Sequence, residues 1–131
     1  MNDKPILCPN SRRRVLVVED EPELVEFISE RLRMEGYEVV TAMDGMTGLH
    51  LARSIEPDLI LLDVMLPKLD GFKIARLLKF DEQYKHIPII LWTWMAEDED
   101  VKSGKYAGVD EYIPKPFSLE ALMKCVRKYL G

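Results

Sequence analysis

At 131 residues, 47% hydrophobic and 31% charged, the chain has enough apolar side chains for one ordinary globular core and is too short for a multidomain enzyme. A net charge of -5 argues against the clustered basic surface that nucleic-acid phosphates require, so no direct nucleic-acid binding is expected. The two cysteines, Cys8 and Cys125, belong to no C-x-x-C or Cys/His cluster, and no apolar run exceeds strand length; a soluble protein of a reducing cytoplasm is expected, without disulfides, zinc, signal peptide or membrane span.

Residues 1–12 carry Pro5, Pro9, Asn10 and Ser11 without periodicity and read as a flexible lead-in to a folded unit over 13–131. Arg12, Arg13 and Arg14 form too weak a basic patch for an anion site and read as the solvated start of a strand. Short apolar runs then alternate with amphipathic stretches: RVLVVE, PELVEFISERLRMEG, YEVVTA, GMTGLHLARSIE and PDLILLD, a βαβαβ pattern. GFKIARLLKF, IPIILWT, a polar segment near 97–107, VDEYI and SLEALMKCVRKYL continue it to five strands and five helices. Several strands are continuously apolar, as strands of a parallel sheet covered by helices on both faces must be, so a doubly wound α/β fold is predicted. Pro22 opens the first helix, Gly36 ends it, Gly71 marks a loop–helix junction and Ser118 sets off the last helix. The fourth helix is the weakest: Glu97, Asp98, Glu99 and Asp100 favour its N-terminal dipole, but only Val101, Tyr106 and Ala107 are apolar.

In such folds ligands bind outside the carboxyl ends of the strands. The first strand runs into Glu19, Asp20 and Glu21, the third ends in Asp63, the fourth in Thr93, and the fifth runs into Lys115. Carboxylates gathered at one edge repel one another, and a hard divalent cation with oxygen ligands, naturally Mg²⁺, relieves them. A lysine and a hydroxyl at the same edge suit a phosphoryl group. Each residue alone has a plainer explanation, as a helix-capping acid, a β-branched strand end or a surface lysine. The ordered combination is what carries the chemistry.

The segments VLVVEDEP, PDLILLDVMLPKLDGF, PIILWT and DEYIPKPF occur in an order and spacing that resemble the receiver domains of two-component response regulators, over essentially 13–131. Pro67 and Gly71 stand four and eight residues after Asp63, and Lys115 precedes Pro116, as in that family. The resemblance implies a flavodoxin-like (βα)5 fold with strand order 2-1-3-4-5. It implies that Asp63 accepts a phosphoryl group, that Asp20 ligates Mg²⁺ directly with Glu19 as its partner, and that the Met65 backbone carbonyl completes the protein ligands, with Mn²⁺ as a substitute metal. Lys115 and Thr93 would contact the phosphoryl oxygens, and Tyr112 would switch rotamer with Thr93. The implied partners are a sensor histidine kinase or phosphotransfer protein, an output domain or protein, and a second copy in a homodimer through the expected fourth helix, fifth strand and fifth helix. The chain would be a phosphoacceptor with only intrinsic autophosphorylation and autodephosphorylation, not an enzyme on other substrates.

One residue departs from the family pattern. Trp94 stands directly after Thr93, where the family usually has Ala or Gly, so it is either a gate on the phosphoryl site or outward-facing packing. It also leaves open a receiver-like binding module without phosphate turnover. An aspartate-nucleophile phosphatase is disfavoured because Asp63-Val64-Met65 lacks a second aspartate, and a flavin protein because the loop after the first strand is acidic. His50 and His86 lie in no phosphotransfer motif and read as structural. The sequence ends at Gly131, directly after the last expected helix, so no output domain is expected within it, and both a stand-alone regulator and part of a longer protein remain open.

Overall fold

The computed structural model describes residues 12–93, 108–115 and 118–131. Among them the chain forms β1 (Arg14–Val18), α1 (Pro22–Met34), β2 (Glu38–Ala42), α2 (Gly45–Ile55), β3 (Leu59–Asp63), α3 (Gly71–Lys79), β4 (Ile89–Thr93), β5 (Glu111–Pro114) and α4 (Leu119–Leu130). The last of these is the C-terminal helix expected from Ser118 onward. The lead-in up to residue 11, the helix expected near 97–107, and Trp94 lie outside the described residues.

The five strands pair in parallel in the order β2-β1-β3-β4-β5, as the resemblance implies. Side chains alternate across each strand, so the sheet buries two separate layers. Leu16, Val18, Ile60, Leu62, Ile89 and Leu91 meet α2 and α3 through Leu49, Ala52, Ile74, Ala75 and Leu78. Val15, Val17, Leu59, Leu61, Ile90 and Trp92 meet α1 and α4 through Ile28, Leu32, Leu122, Met123 and Val126. β3 lies at the centre and is buried at every position, which is why its sequence reads LILLD rather than alternating. Truncating Leu61 to Ala would remove about 2–5 kcal/mol of stability, since no neighbour can collapse freely into the space.

Local chemistry sets the helix ends. α1 begins at Pro22, whose missing N–H is no loss in a first turn, and the chain leaves it through Gly36 at φ 98°. Asp44, Asp70 and Ser118 cap the next three helices by accepting from the N–H of Thr47 (2.8 Å), Lys73 (3.0 Å) and Ala121 (3.0 Å).

Candidate functional site

Because all five strands are parallel, their carboxyl ends share one edge, and the register decides which residues meet there. Val18 is level with Leu62, Asp63 with Trp92, and Thr93 with Pro114. Glu19 follows Val18 and stays in line, its N–H donating to the Ala42 carbonyl at 3.0 Å, so it arrives beside Asp63. Lys115 follows Pro114 from the far strand.

The loop after β3 is folded tightly around Asp63. The Met65 N–H donates to Asp63 Oδ1 at 3.2 Å, and the N–H groups of Leu66 and Gly71 both donate to the Val64 carbonyl, at 3.1 and 2.9 Å. Gly71 is required by this closure: a Cβ there would collide with the Asp63 carbonyl oxygen and stand 2.8 Å from Val64 Cα. On the other side of the loop the Gly45 N–H donates to the Pro67 carbonyl at 3.0 Å. A Cβ on Gly45 would run into the Leu69 carbonyl, so α2 and the loop touch backbone to backbone.

Three charged side chains at this edge are withdrawn from solvent: Glu19 is 0%, Asp63 4% and Lys115 5% exposed. Asp20 beside them is exposed. Lys115 Nζ stands 2.7 Å from Glu19 Oε1 and 3.5 Å from Asp63 Oδ2. The exposed Glu21 carboxylate is 4.0 Å away. Burial pushes the Glu19 carboxyl up to about 7, with the Asp63 charge adding to the rise and the Lys115 hydrogen bond opposing it. Burial likewise raises the Asp63 carboxyl, helped by the Asp20 charge and opposed by Lys115 and the Met65 N–H. One ammonium therefore faces more carboxylate than it can neutralise.

Oxygen atoms of Glu19, Asp20 and Asp63 lie within 4.8 Å of one another, close enough to share one cation. The donor set is all oxygen and carries excess negative charge, which fits a hard divalent ion such as Mg²⁺. Glu21, grouped in sequence with the other two acids, does not join it.

Among the other expected site residues, Thr93 ends β4, with its side chain outside the described part. Tyr112 on β5 is partly buried against the layer covered by α2 and α3. Met65 stands in the loop with its side chain 57% exposed. His50 and His86 are exposed, and neither belongs to the acidic group. Sequence reasoning overlooked two features: the direct Lys115–Glu19 pair, and the position of Trp92, whose ring centroid is 4.7 Å from Lys115 Nζ. Strand parity places Trp92 and Lys115 on one face of the sheet and was the available signal.

The sequence matches the response regulator receiver domain family over residues 15–127. The chain belongs to that family. Proteins similar to it include the DNA-binding dual master transcriptional regulator RpaA of Synechocystis sp., 40% identical over 89% of this chain and 48% of RpaA. The polar-differentiation response regulator DivK of Brucella ovis is 34% identical over 91% of this chain and 97% of DivK. The chain thus spans about half the length of the first relative and nearly all of the second. Among solved structures, the chemotaxis response regulator CheY4 of Vibrio cholerae superimposes with a TM-score of 0.84 at 33% identity, covering 92% of this receiver and 100% of CheY4. No helix of the described residues is long and apolar enough to cross a membrane.

Proposed function

We propose that this receiver, spanning 13–131, accepts a phosphoryl group on Asp63 from the phosphohistidine of a sensor histidine kinase or phosphotransfer protein, in a Mg²⁺-dependent reaction. The observation that carries the reading is the buried Asp63 carboxylate, held between an acid pair and the Lys115 ammonium at the carboxyl edge of a parallel sheet.

The transfer needs positioning and charge neutralisation more than covalent chemistry. An Asp63 carboxylate oxygen attacks phosphorus; an acyl–phosphate P–O bond forms as the P–N bond to the donor imidazole breaks, and the imidazole nitrogen keeps the electron pair and takes a proton. The Met65 N–H holds Asp63 Oδ1, which leaves Oδ2, on the Lys115 side, as the attacking atom. Lys115 keeps the buried carboxyl ionised and pairs with the phosphoryl oxygens, while Thr93 offers them a hydroxyl. Glu19, Asp20, Asp63 and the Met65 carbonyl would hold Mg²⁺ or Mn²⁺, which supplies charge neutralisation at the phosphoryl oxygens when bound. Thr93 and Tyr112 then connect the site to the face of β5, the C-terminal helix and the helix expected near 97–107, whose rearrangement controls an output or a homodimer. The relatives' names support a signalling role, since RpaA is a transcriptional regulator and DivK a regulator of polar differentiation.

Incubation with acetyl phosphate and Mg²⁺ tests this. Intact-mass spectrometry is expected to show one added phosphoryl group that Asp63→Asn removes and that Asp20→Asn diminishes by weakening metal binding. Label persisting on Asp63→Asn would overturn the assignment.

A further inference from the structure

Lys115 directly follows β5, yet its ammonium lies beside Asp63 on β3 and Glu19 after β1, so the side chain must cross β4. Neighbouring strands are about 4.8 Å apart, and two such steps exceed what an unsupported lysine spans comfortably. The β4 residue in its way is Trp92. The register sets Trp92 level with Asp63 on one side and Ile113 on the other, and Lys115, two residues beyond Ile113, projects from the same face. The indole is 0% exposed and its centroid lies 4.7 Å from Lys115 Nζ, within the range of a cation–π contact.

We propose that Trp92 is a positioning residue for phosphoryl transfer: its ring is the platform that carries the Lys115 ammonium across β4 to the phosphoacceptor. This rests on the reading of Asp63 as phosphoacceptor. A buried ammonium needs compensation on every side, and Glu19 and Asp63 flank it while the ring face, the negative face of the indole quadrupole, supplies a third. A flat face also sets no single hydrogen-bond direction. Lys115 can therefore exchange Glu19 at 2.7 Å for a phosphoryl oxygen near Asp63 without leaving the ring. An aliphatic side chain would fill the same core space but give the ammonium neither attraction nor a track.

The discriminating experiment keeps shape and changes ring electrostatics. In a Trp94→Phe background, position 92 is labelled with tryptophan carrying none, one, two or three ring fluorines, each weakening the quadrupole. The rate of Asp63 phosphorylation by acetyl phosphate is expected to fall stepwise, by about tenfold over the series, with the thermal midpoint nearly constant. Trp92→Phe should retain most of the rate, and Trp92→Leu should lose at least as much as the most fluorinated ring. Rates independent of fluorine number would overturn the proposal and leave Trp92 as core filling. A second readout needs no phosphorylation: the Lys115 ammonium protons, followed by ¹⁵N–¹H correlation spectra, should exchange with water faster as fluorines are added. If the wild type takes no label at all, the phosphoacceptor reading fails. The exchange series then still decides whether the ring holds the lysine, with unchanged exchange counting against it.

Discussion

The two edges of the sheet treat charge in opposite ways. At the amino edge opposite charges are paired: Arg14 meets Glu38 at 3.0 Å and donates its backbone N–H to Asp58 at 2.8 Å. Lys79 Nζ donates to the carbonyls of Lys85 and Ile87 and to Asp110, each at 2.9 Å, while Asp110 also accepts from the Ile89 N–H at 2.8 Å. At the carboxyl edge three carboxylates face one ammonium, and two carboxyls are raised by burial. The first edge pins α3 and the starts of β4 and β5 together; the second stores unbalanced charge that a cation and a phosphoryl group can use. Paired charge and the proposed phosphoryl site thus occupy opposite ends of the same strands.

Breaking the amino edge should have the larger effect on folding. Lys79 is only 11% exposed along its side chain, and Lys79→Met would take the lysine donor from the Lys85 and Ile87 carbonyls and leave the partly exposed Asp110 with the Ile89 N–H. A loss of about 2–3 kcal/mol is expected by urea denaturation, less than for a fully buried pair because Asp110 still reaches water.

Relieving the carboxyl edge should do the reverse. Asp63→Asn removes one of three clustered negative charges while Lys115 keeps Glu19, so the metal-free domain is expected to gain about 1 kcal/mol in the same assay. Mg²⁺ should raise the melting temperature of the wild type and affect the variant little.

The contrast extends to pH. The Glu19 carboxyl lies near 4.5 when unfolded and about 7 when folded, so the folded state binds more protons across that window. Its contribution is therefore full below 4.5 and lost as pH rises through 7. Melting temperatures of the metal-free domain should fall between pH 5 and 7.5, and saturating Mg²⁺ should flatten the slope; a rise over that range without metal would contradict the charge imbalance. Glu35 and Glu111 have their carboxyls lowered by Arg127 and Lys128, so their stabilisation is present above the ordinary glutamate value and lost on acidification below it.

The smallest effect belongs to the exposed part of the amino edge. Arg14 and Glu38 are 37% and 36% exposed, and Glu38→Gln should cost about 0.5 kcal/mol, shrinking further in high salt.

Most of the fold was legible because the strands announce themselves: LILLD and IPIILWT are continuous apolar runs that only a sheet covered on both faces can bury. The candidate site was legible in part, since Glu19, Asp20, Asp63 and Lys115, which the fold brings to one edge, each follow or end such a run. What one residue does to another was not. Whether Glu19 or Asp63 holds Lys115 more closely depends on ångström-scale register, and the closeness of Gly71 to the Asp63 carbonyl depends on how a seven-residue loop closes. Linear spacing encodes neither.

That loop joins β3 to α3. It is sewn down at Asp63 through the Met65 N–H, at Val64 through Gly71, and at α2 through Gly45, so its length is not free to drift. An inserted residue between Val64 and Asp70 would have to bulge outward or push Asp63 off its seat. Lineages descended from this domain should therefore vary the length of other connections, such as the one between α3 and β4, and leave this one the same size.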